Sequence, residues 1–196
     1  MKPKAIALVY KTGGDYTYEY VNRLADSLKA YGPVTCLTDS TKPMNCRTIP
    51  LTHDLPGWWS KIELFKTFKT GRTVYFDLDT VINGDISPLF GLKGPFAMLS
   101  DFYKPHQAAS GVMVWDGDYS WLWDRFKPSE IGQYNKPSQW GDQGYLSNNL
   151  NNITRIQEQC PELVASYKAS TLQQRQKAAI VCYHGRPRPH QTGWSA

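Results

Sequence analysis

Residues Thr73-Val74-Tyr75-Phe76-Asp77-Leu78-Asp79-Thr80-Val81-Ile82 read as an apolar strand that ends in two carboxylates one residue apart. Side chains alternate across a strand, so positions i and i+2 project to the same side. Asp77 and Asp79 are therefore expected to converge where the strand runs out. Two hard oxygen donors there suit a divalent cation such as Mg²⁺ or Mn²⁺, completed by water and phosphate oxygens.

Upstream, residues 5–10 form a buried strand. A helical pattern follows, with Tyr18, Val21, Leu24, Ala25 and Leu28 on one face. Asp15 is placed to cap that helix and Gly32-Pro33 to stop it. Val34–Leu37 is the next strand, which makes a β-α-β opening and predicts a parallel sheet with a right-handed crossover. Residues 40–57 read as loop, and Trp58–Phe68 as one helix. Downstream, Phe96–Leu99 and Gly111–Trp115 read as strands, and Trp121–Phe126 and Gln143–Leu150 as helices. A last strand, Ala179–Tyr183, runs into His184. Strands alternating with helices predict an α/β fold, a Rossmann-like, mostly parallel open sheet with flanking helices, as a single domain over residues 1–196. Such sheets bind ligands outside the carboxyl ends of their strands. Asp39, Asp77, Asp79 and His184 all follow strands and are expected along one edge.

The bulk composition narrows the function classes. With 196 residues and 41% hydrophobic content, the chain is long enough to bury a real core. A formal net charge of +5 is compatible with an anionic substrate, but no Lys/Arg run or nucleic-acid signature exists, so nucleic acid is not an expected partner. Cys36, Cys46, Cys160 and Cys182 lack Cys-x-x-Cys spacing, so neither a zinc ribbon nor a redox pair is suggested, and a reducing, cytoplasmic setting fits. The apolar stretch after Met1 is too short for a signal peptide, and no segment approaches the ~18 apolar residues of a membrane span.

Six motifs in order carry a resemblance: Cys-Leu-Thr-Asp (36–39), Trp-Trp-Ser-Lys-Ile-Glu-Leu-Phe (58–65), Phe-Asp-Leu-Asp-Thr-Val-Ile (76–82), Ser-Gly-Val-Met-Val-Trp (110–115), Asp-Gln-Gly-Tyr-Leu (142–146) and Tyr-His-Gly-Arg-Pro-Arg-Pro (183–189). Over roughly residues 4–190 the chain resembles the GT-A-fold, glycogenin-like, retaining glycosyltransferases. The resemblance implies a metal-dependent hexosyltransferase that moves a sugar from a nucleoside diphosphate donor, a UDP-sugar, to an acceptor hydroxyl with retention.

It also implies roles. Asp77 and Asp79 match the Asp-x-Asp metal ligands, Asp77 also approaching the ribose, and His184 matches the histidine that completes the Mn²⁺ (or Mg²⁺) shell. Val9, Tyr10 and Lys11 match the nucleoside-holding segment, with Tyr10 a candidate to stack on the base. Asp39 is a candidate nucleotide contact, Lys61 a donor contact, and Asp101 a partner of donor hydroxyls. Asp142 and Gln143 match the pair facing the reacting sugar. The family's C-terminal His-x-x-Gly-x-x-Lys-Pro is compressed here to His-Gly-Arg-Pro-Arg-Pro, so Arg186 or Arg188 replaces the diphosphate-binding lysine, and residues 184–196 become a metal- and diphosphate-contacting tail. Ala109 stands where the family often has asparagine.

Plainer readings stand beside these. Lys61 in a helix is usually a snorkelling side chain, Asp142 a helix cap, and Trp58 and Trp59 packing. Two rival functions are a non-catalytic nucleotide-sugar-binding module and a haloacid-dehalogenase-like phosphatase. The latter is suggested by Asp77-Leu78-Asp79-Thr80-Val81, although its motif belongs on a first strand.

Overall fold

The computed structural model describes residues 2–193. The chain opens with β1 (Ala5–Tyr10), α1 (Tyr18–Leu28), β2 (Val34–Thr38) and β3 (Arg47–Pro50). A 3₁₀ turn over Gly57–Ile62 leads directly into α2 (Glu63–Thr67) and then β4 (Arg72–Phe76) and β5 (Thr80–Ile82). Next come β6 (Phe96–Ser100), β7 (Ala108–Asp116), α3 (Ser120–Arg125), α4 (Ile131–Tyr134) and α5 (Asp142–Asn149). The last part holds β8 (Thr154–Arg155), α6 (Ile156–Gln159), β9 (Val164–Ser166), α7 (Leu172–Lys177) and β10 (Ile180–Cys182).

Seven strands make the main sheet, in the order β3-β2-β1-β4-β7-β6-β8. Pairing is parallel from β3 through β4 and between β6 and β8, and β7 alone runs antiparallel to its neighbours. The sheet is mostly parallel, as the alternating pattern predicts. A second sheet, β5-β10-β9, pairs the segment after the two carboxylates with the C-terminal strand.

Alternation along the central strands divides their side chains between two cores, one on each face of the main sheet. Ile6, Leu8, Val74, Phe76, Val112 and Val114 pack with Val21, Leu24 and Leu28 of α1 on one face. Ala7, Tyr75, Met113 and Trp115 pack on the other with Leu64 and Phe65 of α2, Leu122 of α3 and Leu146 of α5. Helices thus cover both faces, and the free ends of the strands are left for ligands.

Four local expectations change, the first being the 40–57 loop, which contains β3. Trp58–Phe68 is a 3₁₀ turn followed by a short α-helix, so Trp59, Ser60, Lys61 and Ile62 are all buried in one tight turn. Asp15 does not cap α1, whose N-cap is Thr17 with no side-chain hydrogen bond; its carboxylate pairs instead with Arg186 and Arg188. The strand over 73–82 is interrupted. β4 stops at Phe76, Asp77 accepts the Thr80 amide at 3.1 Å across a turn, and β5 departs into the second sheet.

Candidate functional site

A cleft of about 780 Å³ opens at the carboxyl ends of β1 and β4. Among its lining residues are Val9, Tyr10, Lys11, Lys61, Asp77, Asp79, Asp101, Asp142, Gln143, His184 and Arg188. Asp39 reaches its edge through Lys11, and Arg186 is not part of the wall. The two carboxylates of the central motif share the cleft because of the turn between β4 and β5, not because of strand alternation.

Lys61 forms the buried heart of one wall. Its side chain is 3% exposed, and its Nζ lies 2.9 Å from Asp77 Oδ1 and 3.2 Å from Asp142 Oδ2. It also donates to Ser110 Oγ at 3.2 Å, and Ser110 donates in turn to Asp142 Oδ2 at 2.6 Å. Tyr75 donates to Asp77 Oδ1 at 2.5 Å. Burial alone pulls the ammonium toward neutrality, but the Asp142 and Asp77 carboxylates outweigh it and hold Lys61 charged, above its ordinary range. The cluster joins the Gly57–Ile62 turn, the end of β4, β7 and the first residue of α5. Lys61 is therefore neither a snorkelling side chain nor solvated, and Asp142 does more than begin a helix.

Gly144 makes the last junction possible. A Cβ there would lie 1.5 Å from the carbonyl oxygen of Gln139, so only glycine lets the 139–141 loop fold back onto α5.

Asp79 anchors the opposite wall. Its Oδ2 accepts from Tyr16 at 2.8 Å and from Arg188 Nη1 at 3.3 Å. Arg188 also donates to the Tyr16 hydroxyl, lies over the Tyr16 ring at 4.5 Å, and pairs with Asp15 at 3.1 Å. Burial and the nearby Asp77 charge push the Asp79 carboxyl above its usual range, and Tyr16 and Arg188 only partly offset them. Arg186 pairs with Asp15 at 3.2 Å and is 69% exposed. Of the two arginines in the compressed motif, Arg188 faces the cleft.

His184 follows β10 with φ +33°, ahead of Gly185 at φ +108°. Its ring stacks on Phe102, with centroids 5.1 Å apart, and its Nε2 shares a 2.6 Å hydrogen bond with Ser166 Oγ. Burial, then the Lys168 ammonium, lower its pKa to about 4, so the imidazole is neutral. Among the described residues, no three His, Cys, Asp or Glu side chains stand together as a ready-made metal cage.

Beyond the end of β1, Lys11 bridges Asp39 and Asp54, each at 2.7 Å. Asp39 also accepts the Thr12 amide at 2.8 Å and the Thr12 hydroxyl at 2.9 Å. Tyr10 is 7% exposed and packs with the α1-side core while contributing to the cleft wall. Asp101 accepts the Tyr103 and Lys104 amides and so shapes the loop after β6.

Sequence reading missed Tyr16, Tyr75, Ser166 and Phe102 as members of the site. Tyr75 had a usable signal, two residues before Asp77 in the same motif. The others come close only through the tertiary fold. Trp58 was read as packing, yet it is 60% exposed at the cleft, whereas Trp59 is buried, stacks on Phe126 and donates to Asn135 Oδ1 at 3.0 Å.

No family model matches the chain. No curated protein sequence matches it either. Solved structures do. Glycosyltransferase GlyE of Streptococcus pneumoniae TIGR4 superposes with a TM-score of 0.68 at 14% identity, covering 98% of this chain and 57% of that one. Galactosyltransferase LgtC, solved with donor and acceptor sugar analogs, gives a TM-score of 0.68 at 13% identity, covering 98% of this chain and 91% of that one. The bifunctional WbbM gives 0.62 at 12% identity, covering 96% of this chain and 47% of that one. The chain thus spans about half the length of GlyE and WbbM and most of the length of LgtC. At these identities the likeness is one of fold, and that fold is the GT-A α/β fold of these glycosyltransferases.

Proposed function

We propose that the chain is a glycosyltransferase that moves a hexose from a nucleoside diphosphate sugar, a UDP-sugar, to an acceptor hydroxyl with retention at the anomeric carbon. The observation that carries this reading is the cleft itself: Asp77 and Asp79 face one space at the strand ends of a GT-A fold, with the cations Lys61 and Arg188 on either side. Oriented cations near a departing diphosphate are what glycosyl transfer needs, because the leaving group gains negative charge as the C1–O bond breaks.

The chemistry of the donors suits a divalent ion, although in this structure they do not stand together as a cage and are engaged elsewhere, Asp77 with Lys61 and Tyr75, Asp79 with Tyr16 and Arg188, and His184 with Ser166. Two carboxylates and a neutral imidazole line the same cleft, and a mixed oxygen and imidazole set favours Mn²⁺ over Mg²⁺. Asp77, Asp79 and His184 would hold it. When bound, such an ion supplies Lewis-acid stabilisation of the diphosphate.

The remaining work falls to the protein's own groups. Arg188, beside Asp79 on the cleft wall, offers a planar fork matched to phosphate oxygens. Lys61 and Ser110 fix the Asp142 carboxylate where α5 begins, and Asp142 with Gln143 faces the reacting sugar. Val9, Tyr10, Lys11 and Asp39 border the nucleoside end, and Asp101 is positioned for donor hydroxyls. Four unpaired cysteines fit a reducing compartment. Among the described residues, no helix is long and apolar enough to cross a membrane.

Incubation with UDP-glucose, UDP-galactose and GDP-mannose in Mn²⁺, followed by assay of the released nucleoside diphosphate, tests the proposal. Release from one donor by wild type and none by Asp142→Asn is expected. No release from any donor with any of a broad set of acceptors, alongside tight donor binding, would favour a non-catalytic binding module.

A further inference from the structure

Glu63, the first residue of α2, is not among the residues that line the cleft, and its side chain is 1% exposed. A carboxylate that deep needs hydrogen-bond partners, and one short stretch of chain supplies them. Oε1 accepts the His53 amide at 2.9 Å, while Oε2 accepts the Thr52 amide at 3.1 Å and the Thr52 hydroxyl at 2.9 Å. Two successive backbone N–H groups are thus gripped by the two oxygens of one side chain. Lys66 Nζ stands 3.7 Å from Oε2 and donates to Thr52 Oγ1 at 2.6 Å. The Trp123 ring of α3 closes the cluster against Lys66 and His53.

The gripped residues begin an arch that runs from the end of β2 to the wall of the cleft. The Leu51 amide donates to the Thr38 carbonyl at 2.9 Å. Leu55 is buried, and Ser60 Oγ donates to its carbonyl at 2.9 Å. Gly57 turns the chain with φ +52°, after which Trp58 joins Pro56 and Gly57 in the cleft wall. Between these anchors Asp54 reaches Lys11 at 2.7 Å, although its own side chain is 95% exposed. An exposed ion pair gains little by itself, because side-chain freedom is lost to join groups that water already solvates. The Lys11–Asp54 pair forms because the arch already holds the aspartate in place.

We propose that Glu63 is a positioning residue for the nucleoside end of the cleft: it fixes the 52–58 arch, the arch fixes Asp54, and Asp54 with Asp39 fixes the Lys11 ammonium beyond β1. This rests on the donor-site reading above. With Asp54 displaced, Lys11 keeps only Asp39 as a carboxylate partner and loses the fixed direction in which a nucleoside would meet it. The carboxylate is matched to its task. A glutamine offers one acceptor and turns its NH₂ toward the other backbone amide, donor against donor.

The test is a double-mutant cycle in UDP affinity, read by calorimetry in Mn²⁺, with hydrogen exchange of residues 51–58 followed in the unliganded proteins. Glu63→Gln should speed exchange at Thr52 and His53 and weaken UDP binding about tenfold. Asp54→Asn, which changes an exposed side chain only, should weaken UDP by a similar factor and leave exchange at Thr52 and His53 unchanged. In the Asp54→Asn background Glu63→Gln should add a loss of roughly twofold at most, because the link it acts through is already cut. Thr52→Val, which removes one of the bonds to Glu63, takes its place in the cycle if Glu63→Gln does not fold, with a smaller loss that likewise vanishes without Asp54. A loss of equal size with and without Asp54 would make Glu63 a general support of the fold and overturn the proposal. Wild-type UDP affinity in Asp54→Asn would overturn it too. Wild type that binds no nucleotide, with exchange at Thr52 and His53 still set by Glu63, would uphold the arch and overturn the donor site.

Discussion

Arg188 and Asp79 stand 109 residues apart in the chain and meet across the cleft, Nη1 to Oδ2, at 3.3 Å. The contact ties the C-terminal segment to the central carboxylate pair and leaves a guanidinium, not a lysine, beside the space proposed for the diphosphate. Asp15 and Tyr16 hold the same guanidinium from the loop after β1. Three distant segments therefore converge on one cation.

If that cation contacts the diphosphate, Arg188→Ala should weaken UDP binding by about tenfold to a hundredfold, the equivalent of one or two charge-assisted hydrogen bonds. Arg188→Lys should retain part of the affinity, and Arg186→Ala, whose side chain points to Asp15 and solvent, should change little. Titration calorimetry reads all three. Equal affinity in Arg188→Ala and wild type would confine Arg188 to a structural role.

Lys61 carries a different burden. Removing it leaves the buried Asp142 carboxylate, and the one-third exposed Asp77 carboxylate, without their cation, so Lys61→Met should lower stability by about 3 kcal/mol, the low end for breaking a buried pair. The urea midpoint should fall with little change in slope. Adding Asp142→Asn should return part of the loss, because one of the two orphaned charges is then gone. A Lys61→Met midpoint equal to wild type would contradict the buried-cluster description.

Gly144 gives a prediction that involves no charge. The carbonyl of Gln139 occupies the position of a Cβ, and backbone cannot swing aside as a flexible side chain can. Gly144→Ala should cost about 1–3 kcal/mol, the usual penalty of overpacking. It should also loosen the Trp140 turn. Thermal unfolding measures the first effect, and ¹⁹F NMR of protein labelled with fluorotryptophan at its seven tryptophans, the Trp140 resonance assigned by substitution, measures the second.

Much of this architecture is legible in the sequence. β1, β2, β4, β6 and β7 are announced by apolar runs because each sends alternate side chains into both cores, and α1 by the apolar face it buries in one of them. β10 is legible as the apolar run Ala179–Tyr183 and β5 as the tail of the run over 73–82, whereas β9, three residues long, carries too little pattern to be read, and no pattern announces that the three form a sheet of their own. β3 has mostly exposed residues and a proline, so it reads as loop although it pairs with β2 at the sheet edge. Within the site, Asp77, Asp79, Lys61, Asp142 and Arg188 stand in recognisable motifs. Tyr16 and Ser166 do not, because they meet Asp79 and His184 only after the chain has folded.

The central claim is that Asp77 and Asp79 organise a metal-dependent nucleoside diphosphate site. The most direct measurement is calorimetric titration of UDP into wild type and Asp79→Asn, in Mn²⁺ and again in EDTA. The account predicts UDP binding that requires Mn²⁺ in wild type and is lost in Asp79→Asn, with both proteins giving the same folded circular-dichroism spectrum. UDP binding that is indifferent to Mn²⁺ and to Asp79, or absent from folded wild type altogether, would contradict it.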